Sequence, residues 1–234
     1  MLGPPIPAIA AQGAEPPPGH HTYDGKWFFK DLLRDQKAIW TSPLALRPGD
    51  AKWLVPLVAA TGGLIQVDRD ASHKLVDRDD LIDTSKNISD LGGAPATFGA
   101  AAAIYGIGKW KNNGRATETG LLGLQALIHS GIVVNAIKVG TNRKRPNAGL
   151  GRGRFYNGGA SFPSGHAIGA WALGTVIAEE YPDKPVVRFS AYGVATAVSV
   201  LRFTGREHFP SDTLVGSVLG YLIGRYVVHR HGSR

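Results

Sequence analysis

An all-α bundle is the fold class this sequence predicts, and three observations predict it. Six apolar stretches, at about 53–67, 91–108, 120–137, 167–178, 189–201 and 213–224, are set apart by charged or Pro/Gly-containing segments. None shows the long strict alternation of apolar and polar residues that marks a half-buried strand. Gly and Ala recur within them, which suits helices that approach one another closely through small residues. With 234 residues, 43% of them hydrophobic, the chain can build one large core.

The elements follow in order. Residues 1–22, MLGPPIPAIAAQGAEPPPGHHT, are rich in Pro, Gly and Ala, and an extended or disordered tail is expected. The AIAAQ stretch resembles the small-residue end of a signal peptide. No basic region and no uninterrupted apolar region precede it, so a complete leader is not expected, and a truncated one is an open reading. His20 and His21 are tail histidines, expected to be bystanders rather than metal ligands.

Residues 23–50 carry Trp27, Phe28, Phe29, Leu32, Leu33, Ile39 and Trp40. They predict a short amphipathic helix and a loop ending at the RPGD turn, packed on the core in preference to lying on a membrane. Residues 51–230 are then one helical domain of about six core helices. Within it, VDRDASHKLVDRDD at 67–80 lacks the central Gly and final Glu of a calcium loop. The expectation there is a charged loop between helices.

A membrane span needs roughly 18–20 apolar residues, and the last three stretches offer only about 12–13 between charges. The mean hydropathy is −0.07. Buried helices of a globular bundle are the first reading. The second is a membrane-embedded bundle, with charges at helix ends lining a polar cavity.

Composition narrows the chemistry. The absence of cysteine excludes disulfides, thiol nucleophiles and cysteine–zinc sites. A net charge of +8 and a pI near 9.8 favour anionic partners. The charge is also uneven. From Thr119 to Ala178 there is no acidic residue, yet that run holds Lys138, Arg143, Lys144, Arg145, Arg152 and Arg154. This points to an anion site.

Three segments carry the candidate chemistry. In KVGTNRKRPNAG, 138–149, Lys138 closes an apolar helix and Arg145 precedes Pro146. Alone, Lys138 is also an ordinary cap of a helix dipole. In FPSGH, 162–166, a turn leads into a helix whose first N–H groups point outward, so Ser164, Gly165 and His166 could present donors to an anion. Alone, Ser164 is equally an N-cap and His166 incidental. In LRFTGREHFPSDTLVG, 201–216, Arg202 precedes His208, and Asp212 stands four residues beyond. On a helical turn Asp212 can hold one imidazole nitrogen and aim the other outward. Alone, Asp212 or Ser211 is equally a cap.

Taken together, K-x6-R-P, P-S-G-H and R-x5-H-x3-D resemble the signature of the type 2 phosphatidic acid phosphatase superfamily, which also holds bacterial non-specific acid phosphatases and vanadium haloperoxidases. The resemblance is dense from about 120 to 225, and residues 1–50 fall outside it. It implies an acid phosphatase-like helical fold and a metal-independent phosphatase acting on phosphomonoesters, lipid phosphates or pyrophosphates. It further implies roles. Lys138, Arg145 and Arg202, with donors at Ser164 and Gly165, bind the phosphoryl group. His208 becomes a phosphohistidine, Asp212 orients it, and His166 acts as acid and then base. No cofactor is implied, and vanadate is expected to inhibit. A phosphorylated small molecule or lipid is the expected partner. An exported, periplasmic or membrane-associated location is expected, with integral membrane as the alternative. One departure stands out. The family often has Ser before the third-motif arginine, and here it is Leu201.

Three other readings compete. In a vanadium haloperoxidase the same cradle would hold vanadate as cofactor, with His208 its ligand. The Arg/Gly-rich GLGRGRFYNGG, 149–159, resembles an RNA-binding segment, but the basic residues cluster by the motifs instead of forming a stripe, so no nucleic-acid partner is expected. That loop is also no dinucleotide fingerprint, because no strand precedes it. A non-catalytic helical scaffold is opposed by the intact set of charged positions.

Overall fold

The structure is a computed structural model that describes residues 25–74, 79–148 and 153–233. It is all helix, as the sequence predicts: α1 (Gly25–Thr41), α2 (Ala51–His73), α3 (Asp79–Ser89), α4 (Ala94–Trp110), α5 (Gly114–Thr141), α6 (Gly165–Glu180), α7 (Pro185–Thr204) and α8 (Pro210–His231). Among the described residues there is no strand. The six apolar stretches fall in α2 and α4–α8. The tail at 1–22, with His20 and His21, and the side chains of Trp27, Phe28 and Phe29 lie outside the described residues, as do 149–152 of the Arg/Gly-rich loop.

α6 is the axis of the bundle. Its sequence, GHAIGAWALGTVIAEE, is apolar nearly all round, and a helix of that kind is stable only when surrounded. Ile168, Ala172 and Val176 enter one core with Leu122, Ala126, Val133 and Val134 of α5 and Ile223 and Val227 of α8. Each fully buried Leu, Ile or Val contributes about 1.5–3 kcal/mol relative to exposure. The α6–α8 contact is closer than side chains would permit. A Cβ on Gly216, Gly220 or Gly224 would stand 2.7, 2.3 or 2.6 Å from a carbonyl oxygen of Ser164, Ile168 or Ala172. This glycine stripe seats the start of α8 against the start of α6, where Ser164 N–H donates to the Asp212 carbonyl at 3.0 Å.

Two expectations need correction. Residues 67–73 are not a loop: α2 runs on to His73, and α3 begins at Asp79. The reason is Asp68, which is buried in α2 against the guanidinium of Arg143, so its charge is matched inside the bundle. Nor do the last three helices stop where their apolar stretches do. α6, α7 and α8 run 16, 20 and 22 residues, because helical turns continue through Arg188 and Arg202 of α7 and Asp212 and Arg225 of α8. α5 and α7 are long and apolar enough to cross a membrane, and α7 turns Val186, Phe189, Val194 and Val200 outward.

α1 docks on the core, partly through polar groups. Asp35 of α1 is buried and accepts from Gln125 Nε2 (3.0 Å) and Tyr226 Oη (3.0 Å), with His231 Nε2 at 2.6 Å. Leu33, Trp40 and Leu44 stay exposed.

Candidate active site

The candidate residues gather at one end of the bundle, where α5 and α7 finish and α6 and α8 begin. α5 is ended by Asn142 in the left-handed region, φ 48°, a conformation Asn tolerates at a helix C-terminus. Lys138 lies one turn earlier. Its Nζ would stand 3.5 Å from a Cβ at Gly165, so the ammonium sits over the first turn of α6.

Ser164 caps α6 as a short hydroxyl side chain should, accepting from Ala167 N–H at 3.3 Å. Its own N–H is engaged by the Asp212 carbonyl, so Ser164 supplies no free backbone donor to a cradle. The outward N–H groups at this end belong to Gly165 and His166, which have no carbonyl one turn before them. His166 is at the mouth, partly exposed, with Nε2 3.4 Å from Asp90 Oδ1.

Arg202 is buried in the last turn of α7. It donates from Nη1 to Ser89 Oγ (3.2 Å) and Asp90 Oδ1 (3.3 Å), and from Nη2 to Glu207 Oε2 (3.2 Å). Its carbonyl accepts from both Glu207 N–H and His208 N–H at 3.1 Å, which folds the chain back beneath the arginine. Arg206, at φ 55°, makes that turn. Leu201 carries no hydroxyl, and one reaches Arg202 from Ser89 of α3 instead.

His208 is fully buried. Its Nδ1 is 3.6 Å from Asp212 Oδ2, an ion-pair distance just beyond a hydrogen bond. Such contacts often tighten only when a ligand binds. Asp212 also caps α8, accepting from Phe209 N–H at 2.9 Å, so the capping reading and the orienting reading hold together. Ser161 Oγ (2.5 Å) and Arg143 Nη1 (2.5 Å) complete its shell. Burial pushes the His208 imidazole below its ordinary range, against the opposing pull of Asp212, and so favours the neutral ring. Burial likewise lowers His166, with Arg202 and His208 adding to the effect.

Two residues that motif reading did not single out hold this arrangement. Arg143, counted above only as charge, is buried with Nη2 on Asp68 Oδ2 (2.7 Å), Nη1 on Asp212 and Ser211, and Nε on the Gly153 carbonyl (3.0 Å). Phe155 and Phe209 cover its guanidinium, at 4.6 and 4.4 Å. Asp68 in turn accepts from Ser211 N–H (3.1 Å) and Ser211 Oγ. Local spacing carries no signal for a pair 75 residues apart. Arg145 is the outer cation, bound through Nη1 to Glu207 Oε2 at 2.5 Å. Among the described residues, no group of three or more His, Cys, Asp or Glu side chains is placed to hold a metal ion.

Residues 120–234 match the PAP2 superfamily. A Lipid A 1-phosphatase of Porphyromonas gingivalis is 32% identical over 118 residues, which is 50% of this chain and 24% of that protein. The chain therefore spans about a quarter of the length of that curated relative. Two solved structures share the fold. One is the first transmembrane PAP2 type phosphatidylglycerolphosphate phosphatase from Bacillus subtilis, with TM-score 0.53, 21% identity, and coverage of 88% of this chain and 94% of that one. The other is Aquifex aeolicus LpxE, with TM-score 0.53, 19% identity, and coverage of 71% and 93%.

Proposed function

We propose, from the match of residues 120–234 to the PAP2 superfamily, that the chain is a membrane-embedded phosphatase of lipid phosphates that works through a phosphohistidine. One observation carries the reading. A buried imidazole, His208, is set beside a buried carboxylate, Asp212, at the bundle end where Lys138, Arg145 and Arg202 also arrive.

The steps follow from the groups present. Arg145, Arg202 and Lys138 take the phosphoryl oxygens, helped by the N–H groups at the start of α6. Phosphoryl transfer depends chiefly on such positioning and charge stabilisation. Nε2 of His208 attacks phosphorus; the P–N bond forms as the P–O bond to the leaving group breaks. Asp212 stabilises the positive charge that develops on the ring. The leaving oxygen takes a proton from His166. Burial and the neighbouring cations disfavour that proton, and an arriving phosphoryl dianion offsets the cations. Neutral His166 then accepts a proton from water, whose oxygen attacks phosphorus and releases phosphate from His208.

The lipid preference is supported by α5 and α7, each long enough to cross a bilayer, and by the outward apolar residues of α7. It is also supported by the name of the Porphyromonas gingivalis relative. The full chain, purified in detergent, should release phosphate from a phosphomonoester lipid in the presence of a chelator, and vanadate should block it. Activity lost to chelator and restored by magnesium or zinc would overturn the metal-independent reading.

A further inference from the structure

Glu207 is no part of the motifs, yet its carboxylate lies inside the candidate site. Oε2 accepts from Arg145 Nη1 at 2.5 Å and from Arg202 Nη2 at 3.2 Å, and Oε1 accepts from Asn147 Nδ2 at 3.2 Å. The side chain is only 14% exposed. Two guanidinium groups and an amide, drawn from two separate segments, thus converge on one carboxylate. That is the donor geometry by which proteins recognise an oxyanion. It is made by the two arginines that, under the reading above, take the phosphoryl oxygens. A carboxylate oxygen on those donors and a phosphoryl oxygen on the same donors exclude each other.

We propose that Glu207 is a resident anion that occupies the arginine clamp and must be displaced by substrate, so that it sets how tightly the clamp holds any incoming anion. The proposal rests on the phosphatase reading. A monoanion gains no more from two arginines than the carboxylate it evicts, and it then sits beside an evicted negative charge. A dianion gains about twice as much, by the product of charges. Glu207 can act by side-chain movement alone. Its backbone N–H and that of His208 are both held by the Arg202 carbonyl, so losing the carboxylate leaves His208 anchored.

The competing role, a brace that aligns the arginines, predicts the opposite sign. The test is calorimetric binding of inorganic phosphate and of dimethyl phosphate to the full chain in detergent at mildly alkaline pH. Glu207→Gln keeps the size and removes the charge. It should bind both anions about tenfold more tightly than wild type, with inorganic phosphate gaining at least as much as dimethyl phosphate. Glu207→Ala should move both affinities in the same direction. Unchanged or weaker binding in both variants overturns the proposal in favour of the brace. If the wild type binds neither anion, the phosphatase reading itself fails, and the proposal falls with it.

Discussion

Arg143 and Arg145 are two residues apart in one basic segment, and the fold puts them to opposite uses. Arg143 is 2% exposed and spends its guanidinium on Asp68, Asp212, Ser211 and the Gly153 carbonyl. Arg145 is 36% exposed, and its Nη1 is held by Glu207 at the edge of the cradle. One arginine ties α2, the Gly153 backbone and α8 into a frame; the other faces outward at the candidate site. The difference teaches that charge density along a sequence locates a site but does not say which cations build it and which serve it. Burial and the number of committed donors say that.

The widest separation between the two should appear on substitution. Arg143→Ala leaves the carboxylates of Asp68 and Asp212 buried without their cation, and breaking a buried pair this way costs about 3–5 kcal/mol. Thermal unfolding in detergent should show a large loss of stability. Arg145→Ala should leave the unfolding midpoint close to wild type while lowering turnover about a hundred- to thousandfold, the usual cost of one charge-stabilising contact. Equal stability loss in the two variants would erase the distinction.

A smaller effect sharpens the clamp side of the comparison. Arg202 donates from two nitrogens to three different side chains. Arg202→Lys keeps the charge and loses the planar fork, so turnover should fall about a hundredfold with the fold retained. Leu201→Ser, which restores the residue the family often has there, should change the rate by less than about tenfold, as one neutral hydrogen bond would, because Ser89 already brings a hydroxyl to Arg202. Steady-state kinetics on a soluble phosphomonoester reads both. Near-normal turnover in Arg202→Lys would take Arg202 out of the clamp.

What was legible in the sequence was what short spacing encodes. Lys138 near the end of α5, Ser164 at the start of α6, and His208 four residues before Asp212 follow from helix periodicity and capping alone. Asp68 was not legible, because nothing local marks an aspartate in a charged run as one that enters the core. It becomes structural only through Arg143, far along the chain. Glu207 was passed over although it adjoins His208. Its inward direction depends on the left-handed turn at Arg206, which a non-glycine residue does not announce. The length of α7 was misread for a third reason. Arg188 and Arg202 bound its apolar stretch, yet they lie inside the helix ends, where a long side chain can reach polar surroundings while the helix continues.

Covalent phosphate on His208 tests the central claim most directly. Wild type, His166→Ala and His208→Ala should each be mixed with a phosphomonoester bearing a good leaving group, quenched in alkali to preserve phosphohistidine, and analysed by peptide mass spectrometry. The account predicts phosphate on the His208 peptide, accumulating in His166→Ala because the water step is slowed, and none in His208→Ala. Covalent phosphate retained by His208→Ala, or found only on another residue of the wild type, would contradict it.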